Sequence, residues 1–276
     1  MQSEPSTNTR AARLAWSLCG LALLLTVGGL LLFFLNRGTV TPASWGIEAG
    51  VRGSLLDLIN GLIYGFFYTV AISAMGALIV ARHPRHPLGW LLCSVGLAFG
   101  LIQFVQEATI YTNFTLPDTP GGLYIAWVNN WVWVLVVTLA LSTVALFPDG
   151  RLPSRRWRWL LGLIALFSIL MIGYGFIASP MDSAFYLDNP FVPRPLPDYV
   201  LEIVWGLFVI VLVLSTIGGA AAGIVRFRRA GRDERQQFKW LVGALLLSVL
   251  AVVVGLTTSA MFGSRLGELL VNWSFT

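Results

Sequence analysis

The sequence predicts an all-α, polytopic integral membrane protein with seven transmembrane helices. Hydrophobic residues make up 57% of the 276 residues and charged residues only 11%, whereas soluble domains are about 25% charged. Seven continuous apolar stretches each come close to the roughly 20 residues that a helix needs to cross the hydrocarbon of a bilayer. Because a backbone in lipid must satisfy its own hydrogen bonds, continuous stretches of this length indicate helices rather than strands.

The predicted spans follow one another through residues 14–276, after a polar tail at residues 1–13 that we expect to be cytoplasmic and disordered. The first apolar run is longer than the about 7–15 residues of a signal-peptide core, so we expect it to remain as a membrane helix. The last residues, from Gly267, resemble the start of an eighth span that is cut short. The predicted spans cover residues 14–35, 61–81, 88–110, 123–147, 160–178, 199–225 and 241–262.

Basic residues concentrate in every second connection between the predicted spans. With a cytoplasmic N-terminus, 14 of the 18 basic residues fall on the inner side and nine of the 13 acidic residues lie on or near the outer side. Lys and Arg accumulate in short cytoplasmic loops, so this distribution predicts an N-terminus inside the cell and a C-terminus outside. The outer side keeps only Arg37, Arg52, Arg194 and Arg265.

Polar residues within the spans gather towards their predicted outer ends. Such residues are functional candidates, because lipid disfavours them. If the helices that carry them are neighbours, they line a ligand-binding cavity open to the outside; in the alternative interpretation they meet only headgroups and water. In a cavity, Glu107 would bind a cationic group or pair with a further partner. The candidate ligand-binding residues are Tyr64, Tyr68, Gln103, Gln106, Glu107, Asn129, Asn130 and Glu202.

Glycine pairs four residues apart are predicted to be positions where helices pack closely, because small residues let helix backbones approach in lipid. No span shows the mid-membrane Gly or Pro interruption that is typical of ion-coupled transporters. The pairs are Gly61/Gly65, Gly96/Gly100 and Gly219/Gly223.

The sequence contains no motif typical of an enzyme. It has no phosphate-binding Walker loop, no GxSxG, no HExxH and no carboxylates at catalytic spacing. Prolines beside His83 and His86 prevent the helical turn that would aim both rings at one ion, and the two cysteines match no metal-ligand spacing. We therefore expect no catalytic residues, no cofactor and no metal. The confinement of the arginines to short turns also argues against a nucleic-acid partner.

Three segments, taken together and in order, resemble motifs of the multi-span N-terminal sensor module of bacterial sensor histidine kinases. They are HPLGWLL (86–92), LFPDGRLPSRRWRW (146–159) and GRDERQQFKWL (231–241), and the resemblance extends from about residue 60 to the end. His86 stands where the family usually has Asn, and Phe238 where it has Leu. The resemblance implies a receptor in the bacterial plasma membrane that passes a signal through a further helix to a cytoplasmic kinase.

The chain has neither the phosphoacceptor-histidine helix nor the ATP-binding domain of that family, so the resemblance does not extend to kinase activity. We expect a fragment of a longer kinase or a stand-alone signal-input module. Its expected partner is the lipid bilayer, with a signalling kinase and a second copy of the chain as further candidates. A small-molecule or lipid transporter and a scaffolding membrane subunit are the alternative functions.

Overall fold

A computed structural model describes residues 5–44 and 49–229 of the chain. In this part, helices dominate, and six of them are long and apolar enough to cross a membrane, as expected of a multi-pass membrane protein. The predicted seventh span (241–262) and the possible eighth span lie outside the described residues. Residues up to Ala222 belong to one compact unit and those from Gly223 to a second, and the contacts below all lie within the first.

The helices follow the order that the apolar stretches predict. The bounds of the five spans after the first lie close to the predicted ones. The largest differences are earlier starts of the second span, at Asp57, and of the fifth, at Arg155, and a later end of the third, at Thr115. The helices are α1 (Pro5–Leu35), α2 (Leu55–Asn60), α3 (Tyr68–Arg82), α4 (Pro87–Ile110), α5 (Gly122–Leu146), α6 (Arg158–Ile177) and α7 (Asp198–Arg229).

Shorter elements modify this plan. A π-helical segment, Gly61–Phe67, joins α2 to α3, and a second one, Tyr111–Thr115, extends α4. A 3₁₀-helix, Arg155–Trp157, precedes α6. Between α1 and α2, the strands β1 (Val40–Thr41) and β2 (Gly50–Val51) pair in an antiparallel hairpin.

The first helix starts earlier than the sequence predicts. Because α1 begins at Pro5, the expectation that the tail 1–13 is disordered is wrong for residues 5–13. Proline is favoured in the first turn of a helix, where its missing N–H costs nothing, and Ala11 and Ala12 are strong helix formers. The membrane helix therefore continues into the polar tail.

The second span also begins before its apolar run, because a capping box starts it. Ser54 Oγ accepts a hydrogen bond from the backbone N–H of Asp57 at 3.1 Å. In return, Asp57 Oδ2 accepts one from the backbone N–H of Ser54 at 2.9 Å. These bonds satisfy donors that a helix start would otherwise leave unpaired. The polar residues before Gly61 are thus part of the span.

The connections between spans fall at two ends of the bundle. We call the end that holds residues 36–44, 49–54, 116–121 and 178–197 the loop end. The opposite end, which holds the connections 83–86 and 147–157, is the turn end. This grouping follows from the alternating direction of successive helices.

Helix α4 lies at the centre of the first four spans, where it packs against α1, α3 and α5. It approaches α3 closely because glycines face the contact. A Cβ added at Gly76 would lie only 2.5 Å from the backbone N of Cys93, and one at Gly89 would lie 2.8 Å from Val80 Cγ2. Side chains larger than hydrogen would push the two helices apart.

Two of the predicted glycine pairs lie in helix contacts. Gly96 faces Ser73 of α3, and an added Cβ at Gly100 would lie 2.7 Å from the backbone O of Ala22 in α1. Gly61 and Gly65 face a side chain of α4, which is described with the candidate site. In the third pair, an added Cβ at Gly219 would make only an ordinary contact of 3.7 Å, with Val144, and Gly223 belongs to the second unit.

The later helices pack through large apolar side chains instead. Helices α5, α6 and α7 share a buried cluster in which the rings of Phe167 and Phe208 lie 5.2 Å apart. Trp133 of α5 and Trp205 of α7 contact the Phe208 ring, with ring centroids 6.3 and 4.9 Å away. The cluster is Val134, Phe167, Met171, Phe208 and Val211.

Candidate functional site

A buried ion pair joins the loop-end hairpin to the central helix. Glu107 of α4 is only 2% exposed, and its Oε1 accepts a hydrogen bond from Arg52 Nη2. Its Oε2 accepts a second bond from Asn36 Nδ2 at 2.9 Å, and the same amide donates to the backbone O of Glu107 at 3.0 Å. Both carboxylate oxygens are therefore occupied by donors from outside α4.

The hydrogen-bond network continues from Asn36 to the π-helical segment that follows α4 at the loop end. Thr115 Oγ1, in the π-helical extension of α4, donates to Asn36 Oδ1 at 2.7 Å. The hydroxyls of Thr115 and Thr39 share a further bond of 2.8 Å. We call the set Asn36, Thr39, Arg52, Glu107 and Thr115 the hairpin clasp. It links residues 55 to 79 positions apart in the chain.

Arg52 is held at its backbone as well as at its side chain. Its N–H donates to the backbone O of Thr39, and its own backbone O accepts from Gly38 N, both at 2.9 Å. Its guanidinium also lies 5.6 Å from the centroid of the Phe33 ring, within range of a cation–π contact. The hairpin therefore presents Arg52 to Glu107 in a defined position.

The pairing gives a physical reason for a charge at this depth. An unpaired carboxylate in a membrane span carries a large desolvation penalty, which a close counter-charge and further hydrogen bonds offset. Arg52 supplies the charge and Asn36 the hydrogen bonds. Glu107 thus has an internal partner, Arg52, in the position where the sequence analysis expects a cationic group or a further partner.

A second polar cluster fastens the connection 178–197 to α5. Asn129 Nδ2 donates to the backbone O of Ser183 at 2.9 Å, and Asn130 Oδ1 accepts from the backbone N of Ser183 at 3.1 Å. Ser44, next to the hairpin, donates to the backbone O of Asp182 at 3.0 Å. The set Ser44, Asn129, Asn130, Asp182 and Ser183 is called the loop clasp below.

The hairpin connection and the connection 178–197 are bonded to each other through Ser44. Its hydroxyl also accepts a hydrogen bond from the backbone N of Phe185 at 3.2 Å. The Phe185 ring packs edge-on against Phe114 beyond α4, with centroids 5.3 Å apart. The hairpin, the end of α4 and the connection 178–197 therefore form one covering layer at the loop end.

The same connection is fixed to the end of α6. Tyr174 OH donates to Asp182 Oδ2 at 2.9 Å. Asn189 Nδ2 donates to the backbone O of Ala178 at 2.9 Å and of Gly175 at 3.2 Å, which satisfies carbonyls that the helix end leaves free. Asn189 is 4% exposed, so these bonds are shielded from water.

The glutamines and tyrosines of the predicted site occupy other positions. Gln103 lies between α1 and the π-helical segment, where a Cβ added at Gly29 or Gly65 would come within 3.1 Å of its side chain. The Tyr68 ring packs edge-on against Phe99 with centroids 4.8 Å apart. These contacts fill space between helices.

Two further candidates lie outside both clasps. Gln106 is half-buried on α4, and Glu202 is exposed on α7. Tyr64 has its backbone in the π-helical segment, and its side chain lies outside the described part of the structure. The structure thus divides the seven candidates with described side chains between two clasps, the helix contacts and the surface.

Seven residues of the clasps are not among the sequence-based candidates, namely Asn36, Thr39, Ser44, Arg52, Thr115, Asp182 and Ser183. Arg52 had a usable signal, since a carboxylate inside a span requires a counter-charge and few arginines lie on the predicted outer side. Ser183 had none, because it contributes only backbone groups.

Two of the three motif segments meet at the turn end. Gly150, in the PDG turn, has a φ angle of +73°, and an added Cβ there would lie 2.7 Å from Pro87 Cδ of the HPLGW segment. The third segment, 231–241, lies outside the described residues. Comparisons with protein-family models, curated proteins and solved structures found no match to this chain.

Proposed function

We propose that the protein is a signal-input module with seven spans in a bacterial plasma membrane, whose turn end faces the cytoplasm. In this proposal, the covering layer at the loop end responds to a stimulus outside the cell or in the outer leaflet. Helix α4 then carries the change to the arginine-rich turns, where a kinase partner reads it. The observation that supports it is the hairpin clasp, which ties the outer hairpin to α4.

Helix α4 is suited to carry such a change. Glu107 lies near its loop end and Pro87 is its first residue, about 30 Å away at 1.5 Å per residue. Pro87 contacts the PDG turn through Gly150. A rigid helix that is bonded at one end and in contact at the other moves both connections together.

A sensor also needs two states that a stimulus can bias. The clasps supply a physical basis for two states, because each consists of a few polar bonds between separate segments rather than a large apolar contact. Opening the hairpin clasp would release the hairpin while α4 stays packed against α1 and α3.

The coupling can be tested with a reporter at the turn end. Ser154 is exposed, so a Ser154→Cys variant with Cys19→Ala and Cys93→Ala can carry an environment-sensitive fluorophore. In proteoliposomes, we expect Glu107→Gln to shift the emission of this probe. Glu202→Gln, which removes an exposed carboxylate, should leave the emission unchanged.

A second probe makes a negative result interpretable. Asp188→Cys, exposed at the loop end, reports whether the covering layer has loosened through its rate of thiol labelling. If Glu107→Gln speeds labelling at residue 188 and leaves the emission at 154 unchanged, α4 does not couple the two ends, and the sensor mechanism is excluded. In intact cells, residue 154 should react only with membrane-permeant reagents.

The kinase partner requires its own experiment. A photo-crosslinking amino acid at position 154, in membranes of the native host, should capture a signalling kinase that mass spectrometry can identify. The same crosslinker at position 188 is the control. Capture of a kinase from both positions, or from neither, would argue against a kinase partner at the turn end.

A further inference from the structure

The turn end carries six exposed arginines. Arg82 ends α3 and Arg85 lies in the first connection. Three more arginines lie in the second connection, and Arg158 begins α6. Within the described residues, none of the six forms an ion pair. The acidic residue of these connections, Asp149, accepts a local bond from the backbone N of Arg151 at 3.3 Å. The set, called the arginine surface below, is Arg82, Arg85, Arg151, Arg155, Arg156 and Arg158.

The two connections are brought together by a close contact. Gly150 adopts a left-handed conformation with φ +73°, and its Cα side faces the Pro87 ring with no room for a Cβ. Arg85 and Arg151 are within two residues of this contact along the chain. The contact therefore joins two groups of arginines into one surface.

Neighbouring tryptophans indicate the depth of this surface in the bilayer. Trp157 and Trp159 stack with ring centroids 5.9 Å apart and an interplanar angle of 28°. Trp159 is 50% exposed and directly precedes the apolar run that starts at Leu160. Exposed indoles beside an apolar span favour the level of the lipid headgroups.

We propose that the arginine surface binds anionic phospholipid headgroups and engages several phosphates at once. Guanidinium groups form paired hydrogen bonds to phosphate oxygens. Six of them without an acidic partner among the described residues would repel one another in the absence of anions. The position beside the headgroup level favours lipid over a soluble polyanion. This proposal is independent of the sensor function.

The size of the expected effect follows from the charge. An arginine near an anionic membrane surface contributes about 1 kcal/mol, or roughly fivefold in affinity. The triple variant Arg155→Gln, Arg156→Gln, Arg158→Gln should therefore bind anionic lipid at least about tenfold more weakly. Basic residues elsewhere in the chain leave some binding.

Native mass spectrometry of the delipidated full chain in detergent micelles can measure this binding. Titration with phosphatidylglycerol should show the loss in the triple variant, and titration with phosphatidylcholine should show no change. The control Arg37→Gln with Arg194→Gln removes exposed arginines at the loop end and should bind like the unmodified chain. Equal binding by the triple variant and this control would overturn the proposal.

A second variant tests whether the two connections act as one site. Gly150→Ala keeps every arginine but forces the turn away from Pro87, so phosphatidylglycerol affinity should fall about fivefold, the equivalent of one arginine. Gly38→Ala is matched to it, because Gly38 also has a left-handed φ of +86° and an added Cβ there meets none of the described residues within 4 Å. Equal phosphatidylglycerol affinity of Gly150→Ala and Gly38→Ala would refute a joint site.

Tighter binding of an RNA oligonucleotide than of phosphatidylglycerol at equal phosphate concentration would assign the surface to nucleic acid.

Discussion

The two ends of the bundle are held together by different interactions. At the loop end, polar side chains such as Glu107, Asn129 and Asn130 are buried and bonded to other segments. At the turn end, glycines let backbones approach, as at Gly76 and Gly150, and the charged side chains stay exposed.

This difference shows that arginine has two uses in one chain. Arg52 is partly buried against a carboxylate, which would lose its counter-charge if Arg52 were removed. The arginines of the turn end make no ion pair within the described residues, so their charge acts on the surroundings rather than on the fold. Stability should therefore depend on individual polar side chains at the loop end and on residue size at the turn end.

The largest effect is expected from breaking the hairpin clasp. Glu107→Gln leaves the partly buried Arg52 guanidinium beside a neutral amide, which should lower the free energy of unfolding by about 3 kcal/mol. Titration of the purified protein with a denaturing detergent, followed by circular dichroism, measures this. Glu202→Gln should change it by less than about 0.5 kcal/mol. Equal stability of the two variants would show that the clasp does not hold the loop end.

A double variant sharpens this test. Because a buried ion pair can often be replaced by apolar residues of similar size at little cost, Arg52→Met with Glu107→Met should recover most of the lost stability. If the double variant is less stable than Glu107→Gln, the loss does not come from the uncompensated charge of Arg52.

The next effect tests the close packing of α3 and α4 towards the turn end. Gly76→Ala places a Cβ 2.5 Å from the backbone N of Cys93, so the helices must separate, at a cost of about 2 kcal/mol. Gly162→Ala is the matched control in α6, where an added Cβ has no neighbour within 4 Å in the part of the chain that the structure describes. Alanine is the better helix former, so Gly162→Ala should be neutral or stabilising. Equal unfolding temperatures for Gly76→Ala and Gly162→Ala would contradict the packing argument.

A smaller effect is expected in the loop clasp. Asn129→Ala removes the bond to Ser183 and should cost about 1 kcal/mol. Hydrogen exchange of residues 178–197 should become faster, because this connection loses one of its attachments to α5. Thr143→Ala, which removes only a bond within α5 to the backbone O of Leu139, should leave that exchange unchanged. Unchanged exchange in both variants would place the attachment elsewhere.

The smallest effect belongs to the turn-end arginines. Arg155→Gln with Arg156→Gln should change the free energy of unfolding by less than about 0.5 kcal/mol, because both side chains are exposed. The measurement is the detergent titration used for Glu107→Gln. A loss as large as that of Glu107→Gln would remove the distinction between the two ends.

The sequence predicted the described spans well because each depends on its own residues. The arginine-rich sequence of the connections 83–86 and 147–157 likewise predicted that both lie at the same end of the bundle. The sequence did not predict the π-helical segments Gly61–Phe67 and Tyr111–Thr115. The second contains neither Pro nor Gly, and the glycines of the first, Gly61 and Gly65, were interpreted as packing positions. It also placed the start of the first two spans too late, since helix caps and polar helical turns carry no apolar signal.

For the candidate site, the polar residues themselves were accessible from the sequence, but their arrangement was not. Glu107, Asn129 and Asn130 were predicted because they stand out in apolar spans. Their grouping into one cavity was an assumption about neighbouring helices. In the described structure these three side chains bond to Arg52 and to the backbone of Ser183, which lie 53 to 55 residues away along the chain.

The sequence by itself determined that this chain forms apolar helices, since hydropathy and the need to satisfy backbone hydrogen bonds in lipid act on local segments. Only the tertiary structure decided which polar groups form hydrogen bonds or ion pairs with each other. A hydrogen bond or an ion pair requires atoms within about 3 Å of each other, and helix packing sets that distance for residues far apart in the chain.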